Sequence, residues 1–294
     1  MAAAERREVS DDQARADTFV ELMTLDRAGD DIFIGPPAPE VGGRMFGGQL
    51  LAHGLAACAM STANDRVVHS IHGYFLSSGT VHDAVTITVE RIRDGRSFSN
   101  RSVSIVQNER ELFRGLVSLH VPEPGLRYSP PGMPDVVPPE EVSMTYDDFS
   151  KLNNPDDHWF GVARPVDIRY VNAPLDDEGV AVTESQKTWM RIPPRLPDDP
   201  LFHAAGLAYL SDATLIDHAL LPHGFRWQDD RLTGASLDHT MYFHEPAPAD
   251  EWMLYDQLIE FTGGARAVAH GTLYSATGEV VATCVQEGLI RWSA

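Results

Sequence analysis

The sequence predicts an α+β protein: two antiparallel sheets, each wrapped around one central helix and arranged side by side as a pseudo-dimer. Three observations predict it: two charge-poor helical segments, a run of alternating strands after each, and a proline-rich stretch between the two sets. The chain of 294 residues, 43% hydrophobic and 22% charged, has room for a two-part core and excludes disordered or fibrous classes.

The first segment, Gly47–Met60, contains no charge on any face. A helix apolar all round has to be buried. Runs of period-two patterning follow at Val67–Leu76, Ala84–Arg93, Ser97–Gln107 and Glu111–Val121, the middle pair joined by the turn signal Asp94-Gly95. Seven of the 20 prolines then fall between Val121 and Glu140, where they sustain neither helix nor central strand. With the polar stretch Asp147–Asp157 they define a linker, so the expected domains are 1–121, a linker 122–157, and 158–294.

After the linker the order repeats. A second buried helix is expected from Gly206 to about Leu220, then strands at Ala235–Phe243, Glu251–Thr262, Ala265–Ala276 and Glu279–Arg291. Gly264 mirrors Gly95 at a separation of 169, and Glu279 mirrors Glu111 at 168. A near-constant offset marks an internal duplication. Helix, then consecutive strands, twice over, leaves no room for the interstrand helices of a doubly wound sheet or an α/β-hydrolase. This is the hot-dog arrangement, doubled. Such halves expose sheet edges and one sheet face, so a homo-oligomer of these protomers is expected.

Composition narrows the partners. Lys plus Arg number 23 against 43 Asp plus Glu, a net charge of −20, which argues against nucleic acid or an anionic membrane. No segment has the roughly 18 consecutive apolar residues of a bilayer span, so no membrane insertion is expected. Cys58 and Cys284 each sit in an apolar run and read as reduced core thiols. With no leader-like N-terminus and no peroxisomal C-terminal address, a cytoplasmic location is expected.

Three polar residues stand out against apolar surroundings. On the expected helix, Asp212 has Ala208, Tyr209, Leu215 and Ile216 as its neighbours three and four residues away, a stripe where an unpaired carboxylate costs several kcal/mol. It is either bonded to nearby groups or functional. Ser236 lies in Gly234-Ala235-Ser236-Leu237-Asp238, one residue short of a nucleophile elbow and followed by a strand, so a structural hydroxyl is the simpler reading. Gln286 lies within the apolar strand, and its counterpart in the first half is Ser118. Any site using it should be asymmetric. The histidines lack metal-ligand spacing: His69 and His72 take opposite strand faces, as do His239 and His244. No metal site is expected. Gly47-Gly48 opens a helix whose N–H groups can meet an oxyanion, or simply pack closely.

Read together, the segments Met45-Phe46-Gly47-Gly48-Gln49, Val68-His69-Ser70-Ile71-His72-Gly73-Tyr74-Phe75-Leu76, Arg93-Asp94-Gly95-Arg96-Ser97-Phe98, Gln107-Asn108, Ser211-Asp212, Leu221-Pro222-His223-Gly224, Ser236-Leu237-Asp238-His239 and Val285-Gln286-Glu287-Gly288 are distinctive in their order. The sequence resembles the type II acyl-CoA thioesterases, the double hot-dog family of bacteria and peroxisomes, from about Phe19 to Arg291. The longer acidic amino terminus, Glu5–Asp17, departs from that family. The resemblance implies an acyl-CoA substrate, no cofactor, and a catalytic trio falling on Asp212, Ser236 and Gln286. It implies hydrolysis to fatty acid and CoA by direct water attack, with Asp212 as base, Ser236 and Gln286 orienting the water, and N–H groups near Gly48 on the oxyanion. Arg91, Arg93, Arg96, Arg101 and Arg191 are the arginines considered for the CoA phosphates. Two rivals differ in class. A hot-dog hydratase or dehydratase pairs a carboxylate with a His, but the position five after Asp212 is Asp217. A non-catalytic acyl-CoA-binding protein would be favoured by loss of Asp212 or Gln286, and both are present.

Overall fold

A computed structural model describes residues 2–38, 43–129, 132–146, 148, 164–172, 179–226 and 231–293, with residues 2–11 described by backbone alone. The expected junction into the second half, 149–163, lies outside them.

Helix α1 (Ala2–Met23) and strands β1 (Asp26–Gly29) and β2 (Ile32–Gly35) precede the first predicted helix, α2 (Gly47–Met60). The absence of charge on α2 has the expected result: every residue from Gly48 to Cys58 is buried. Strands β3 (Val67–Phe75), β4 (Val85–Asp94), β5 (Phe98–Gln107) and β6 (Arg110–His120) match the predicted runs to within one residue at each end. The ring of His53 on α2 bonds the Leu22 carbonyl at 2.8 Å and so ties α1 to the core.

The second half comprises β7 (Asp167–Tyr170), β8 (Gln186–Arg191), α3 (Pro200–Ser211), β9 (Leu232–Ser236), β10 (Asp238–Phe243), β11 (Met253–Gly263), β12 (Arg266–Ser275) and β13 (Val280–Trp292). Two expectations are corrected. The helix expected over Gly206–Leu220 begins earlier, where the Asp199 side chain caps the Leu201 N–H ahead of Pro200, and it ends at Ser211 with Asp212 as its C-cap. The strand expected over Ala235–Phe243 is broken at Leu237. There the Asp238 carboxylate takes the Glu287 N–H at 2.8 Å in place of a ladder bond, a bulge-like step between β9 and β10.

One antiparallel sheet runs β1-β2-β4-β5-β6-β3-β10-β13-β12-β11-β8-β7, with β9 on β13. Read outward from the β3–β10 seam, where His72 faces Thr240, the two halves have the same order. Asn100 pairs with Ser118 and Ala269 with Gln286, so the two hairpins are in the same register at offsets of 169 and 168. The sheet curls around α2 and α3, and the start of α2 meets the end of α3 through the Phe46 and Tyr209 rings, 4.8 Å apart.

The described part of the linker crosses to the second half. Trp189 donates its indole N–H to the Val137 carbonyl at 2.9 Å, and Arg169 donates to Pro139 at 2.6 Å. Val142 packs with Trp189 and Leu254 in a small satellite core. No helix is long and apolar enough to cross a membrane.

Candidate active site

Four elements converge where α2 begins and α3 ends. On β13 the inward-facing positions alternate Cys284, Gln286, Gly288, so period-two geometry alone aims the Gln286 amide at the helix ends. Asp212, as the cap of α3, projects its carboxylate into the same space. The step at Leu237 leaves Ser236 beside Gly288 of β13. Gln286 Nε2 donates to Asp212 Oδ1 at 2.5 Å and to Ser236 Oγ at 2.9 Å. Ser236 in turn donates to Asp212, and so does the backbone N–H of Gly48. The structure therefore brings the three sequence-predicted residues into one hydrogen-bonded triangle.

Close approach of the helix depends on two glycines. A Cβ on Gly47 would lie 2.6 Å from Asp212 Oδ2, and one on Gly48 would lie 2.5 Å from the Tyr209 carbonyl. Neither contact is sterically allowed, so the pair has to lack side chains. The Gly48 N–H, expected to face an oxyanion, lies close enough to the Asp212 carboxylate to pull its pKa down. Gln49, next in the motif, donates its amide to the Pro36 carbonyl at 3.2 Å.

Burial governs the electrostatics. The Asp212 side chain is 3% exposed. Desolvation pushes its pKa up from 3.8 to about 7, against the opposing pull of the Gln286 amide, the Gly48 N–H, the Arg164 charge and the Ser236 hydroxyl. Arg164 is itself buried and stacks on the Phe46 ring at 4.7 Å. The carboxylate is thus poised to change charge near neutral pH. Gln286 Oε1 is buried with no hydrogen-bond partner, a lone pair facing into the site.

Sequence reasoning missed His239 and Arg164 as neighbours of Asp212. His239 Nδ1 lies 3.8 Å from Asp212 Oδ1, but burial lowers this histidine to about 3, so the contact is not an ion pair. The available signal was alternation: His239 and Met241 are the inward positions of β10.

The arginines considered for phosphate binding are largely engaged elsewhere. Arg101 is 1% exposed, with its guanidinium on Ser61, Asp94 and the Arg93 and Asn100 carbonyls. Arg91 makes a two-pronged pair with Asp31, and Arg191 pairs with Asp167. Among the described residues no three His, Cys, Asp or Glu groups converge as metal ligands would.

The chain's relatives agree with this architecture. The family model described as acyl-CoA thioesterase N-terminal domain matches residues 34–120, and that described as acyl-CoA thioesterase C-terminal domain matches 146–290. Acyl-coenzyme A thioesterase 8 of Mus musculus is 34% identical, over 98% of this chain and 93% of its own length. Acyl-CoA thioesterase 2 of Haemophilus influenzae is 32% identical over 94% of this chain and 97% of its own. The crystal structure of acyl-CoA thioesterase II TesB2 from Mycobacterium marinum superposes with a TM-score of 0.77 at 34% identity, covering 94% of this chain and 98% of that one. A hot-dog protein from Alicyclobacillus acidocaldarius, 20% identical, shares the fold at a TM-score of 0.75, covering 94% and 98% of the two chains. With both halves matched and relatives aligned along nearly its whole length, the chain belongs to the acyl-CoA thioesterase family of double hot-dog enzymes.

Proposed function

We propose that the enzyme hydrolyses fatty acyl-CoA thioesters to free fatty acid and CoA by direct attack of water, with Asp212 as the base and Ser236 and Gln286 orienting the nucleophile. The observation that carries this reading is the hydrogen-bonded triangle of a carboxylate, an amide and a hydroxyl, with the carboxylate titrating near neutrality. A water entering the triangle gives one proton to Asp212. Its other O–H has the unpartnered Gln286 Oε1 as acceptor. The oxygen adds to the thioester carbon; the tetrahedral intermediate then breaks its C–S bond and releases the thiolate. Because a thiol has a pKa near ~8.5, that departure needs little help from an acid. Held in place, the water attacks with the advantage of fixed orientation.

The same proposal places the enzyme in the cytoplasm as a homo-oligomer. Two free, buried cysteines suit a reducing compartment. Light scattering that returned only a 32.4 kDa monomer at micromolar concentration would refute the assembly.

The test of function is thiol release across a chain-length series of acyl-CoAs, with quenched-flow analysis of the protein. The expected result is free CoA without an acyl-enzyme. No CoA from any substrate leaves a binding protein. An acylated Ser236 peptide, preceded by a CoA burst, makes Ser236 the nucleophile and overturns the mechanism.

A further inference from the structure

Next to the proposed base sits a buried titratable group that the mechanism does not use. His239 is fully buried, and its ring makes one hydrogen bond, Nε2 to Ser211 Oγ at 3.0 Å. Ser211 Oγ also lies 2.9 Å from the Ala208 carbonyl, to which only its own proton can be given. Having donated there, the hydroxyl is an acceptor toward His239, so the ring proton belongs on Nε2. Nδ1 is then bare. It is buried, has no hydrogen-bond partner and faces Asp212 Oδ1 at 3.8 Å. The Ser211 backbone is fixed as well, its carbonyl taking the Tyr255 hydroxyl at 3.0 Å. Serine, histidine and aspartate here line up as in a hydrolytic triad, yet Ser211 gives its proton to the Ala208 carbonyl and not to His239, the reverse of what a nucleophilic serine needs.

We infer that His239 is a positioning residue for Asp212: held by Ser211 as the Nε2–H tautomer, it presents a lone pair to Oδ1 that opposes the ionised carboxylate and accepts a hydrogen bond from Asp212 once Asp212 holds the proton taken from water. The inference rests on the reading of Asp212 as base. The other groups facing that carboxylate are Gln286 and Cys284 from β13, Ser236 from β9, Tyr255 from β11, the Gly48 N–H from α2, and Arg164 ahead of β7. Among them His239 is the neutral ring whose tautomer decides whether it repels or donates.

Nitrogen NMR of histidine-labelled protein, with His239 assigned by its loss in His239→Asn, is expected to find Nε2 protonated and Nδ1 bare. A proton on Nδ1 overturns the inference. Ser211→Ala removes the acceptor that holds the tautomer, freeing Nδ1–H to donate to Asp212. The acid limb of the kcat/KM profile should move down by about one pH unit, with KM little changed, since a donor to the charged form lowers a carboxylate's pKa. Should Ser211→Ala fold poorly, the amide of His239→Asn supplies a donor at the same place and the same direction is expected. An unmoved limb with rate lost equally at every pH means a packing role and refutes the inference. Asp212→Asn separates the two failures. If that variant stays active, the base reading fails; if it is dead while the Ser211→Ala limb stays put, only the role of His239 fails.

Discussion

Replacing Asp212 by Asn should both abolish hydrolysis and strengthen the fold at alkaline pH. In the folded protein burial lifts the carboxylate from 3.8 to about 7, so the native state holds a proton that the unfolded chain has lost across that interval. A folded value above the unfolded one gives stability that is fully present below 3.8 and disappears as pH rises through 7. At about 1.4 kcal/mol per unit, ionised Asp212 costs the fold about 4 kcal/mol at pH 8. Asn keeps the shape and stays neutral. It brings one conflict, because its NH2 meets either the Gly48 N–H or the Gln286 amide. Turning Gln286 to offer its unpartnered Oε1 relieves the second case. Allowing about 1–1.5 kcal/mol for one impaired bond, the net gain at pH 8 is about 2–3 kcal/mol. Urea or thermal unfolding of both proteins at pH 8 and pH 5 measures it, alongside a thiol-release assay in which activity falls ~10²–10⁴-fold. An Asn variant less stable than wild type at pH 8, or a stability difference indifferent to pH, refutes the reasoning. So does an Asn variant nearly as active as wild type.

Gly48→Ala should lower stability by about 1–3 kcal/mol and reduce kcat, since the new methyl meets the Tyr209 carbonyl at 2.5 Å and pushes the Gly48 N–H off Asp212; denaturant titration and steady-state kinetics check both. Neither cysteine should react with iodoacetamide in the folded enzyme, because burial raises both thiols, Cys284 to about 12 and Cys58 further; mass spectrometry before and after unfolding reads this out. Arg101→Ala should cost about 3 kcal/mol, from the volume lost and the carbonyls left without donors, yet leave kcat of the folded enzyme unchanged, since Arg101 sits at the far end of α2. Unfolding midpoints and kinetics on the same sample separate the two effects.

The parts of the fold legible in the sequence are those where burial and backbone geometry share a period. Helix α2 reads clearly because its apolar run and its hydrogen bonding stop together at Met60. Helix α3 does not. The apolar residues continue past Ser211 through Leu215, Ile216, Ala219 and Leu220, all buried, although the chain there is no longer helical. Hydrophobicity reports burial, and a buried turn looks like more helix. The signal for the true start was present in Asp199-Pro200, a capping side chain ahead of a proline. The step at Leu237 was hidden for a related reason: a carboxylate, Asp238, stands in for the backbone, and alternation cannot record that. The two outermost strands at each end of the sheet, β1 and β2, β7 and β8, are 4–6 residues long, too short for a period to be counted.

The asymmetry of the candidate site follows from comparing the halves position by position. Asp212 caps α3 as Ser61 caps α2, and Gln286 occupies the register position of Ser118. Ser61 Oγ accepts from the buried guanidinium of Arg101 at 3.0 Å; Ser118 Oγ bonds His69 and Asn100. A cleft of about 420 Å³ remains at that end, lined by Ser61, Arg66, Arg91, Asp94 and Arg101 among others, with no carboxylate at the cap and no amide on the strand. There, arginine charge is matched by Asp94 and Asp31 and serves packing. At the other end the carboxylate is desolvated and has only neutral donors in hydrogen-bonding contact, with Arg164 acting at longer range. Duplication thus supplies two equivalent helix ends, and the residue at the cap decides their chemistry. A serine there is satisfied by an arginine, whereas an aspartate held short of full charge compensation is left able to take a proton.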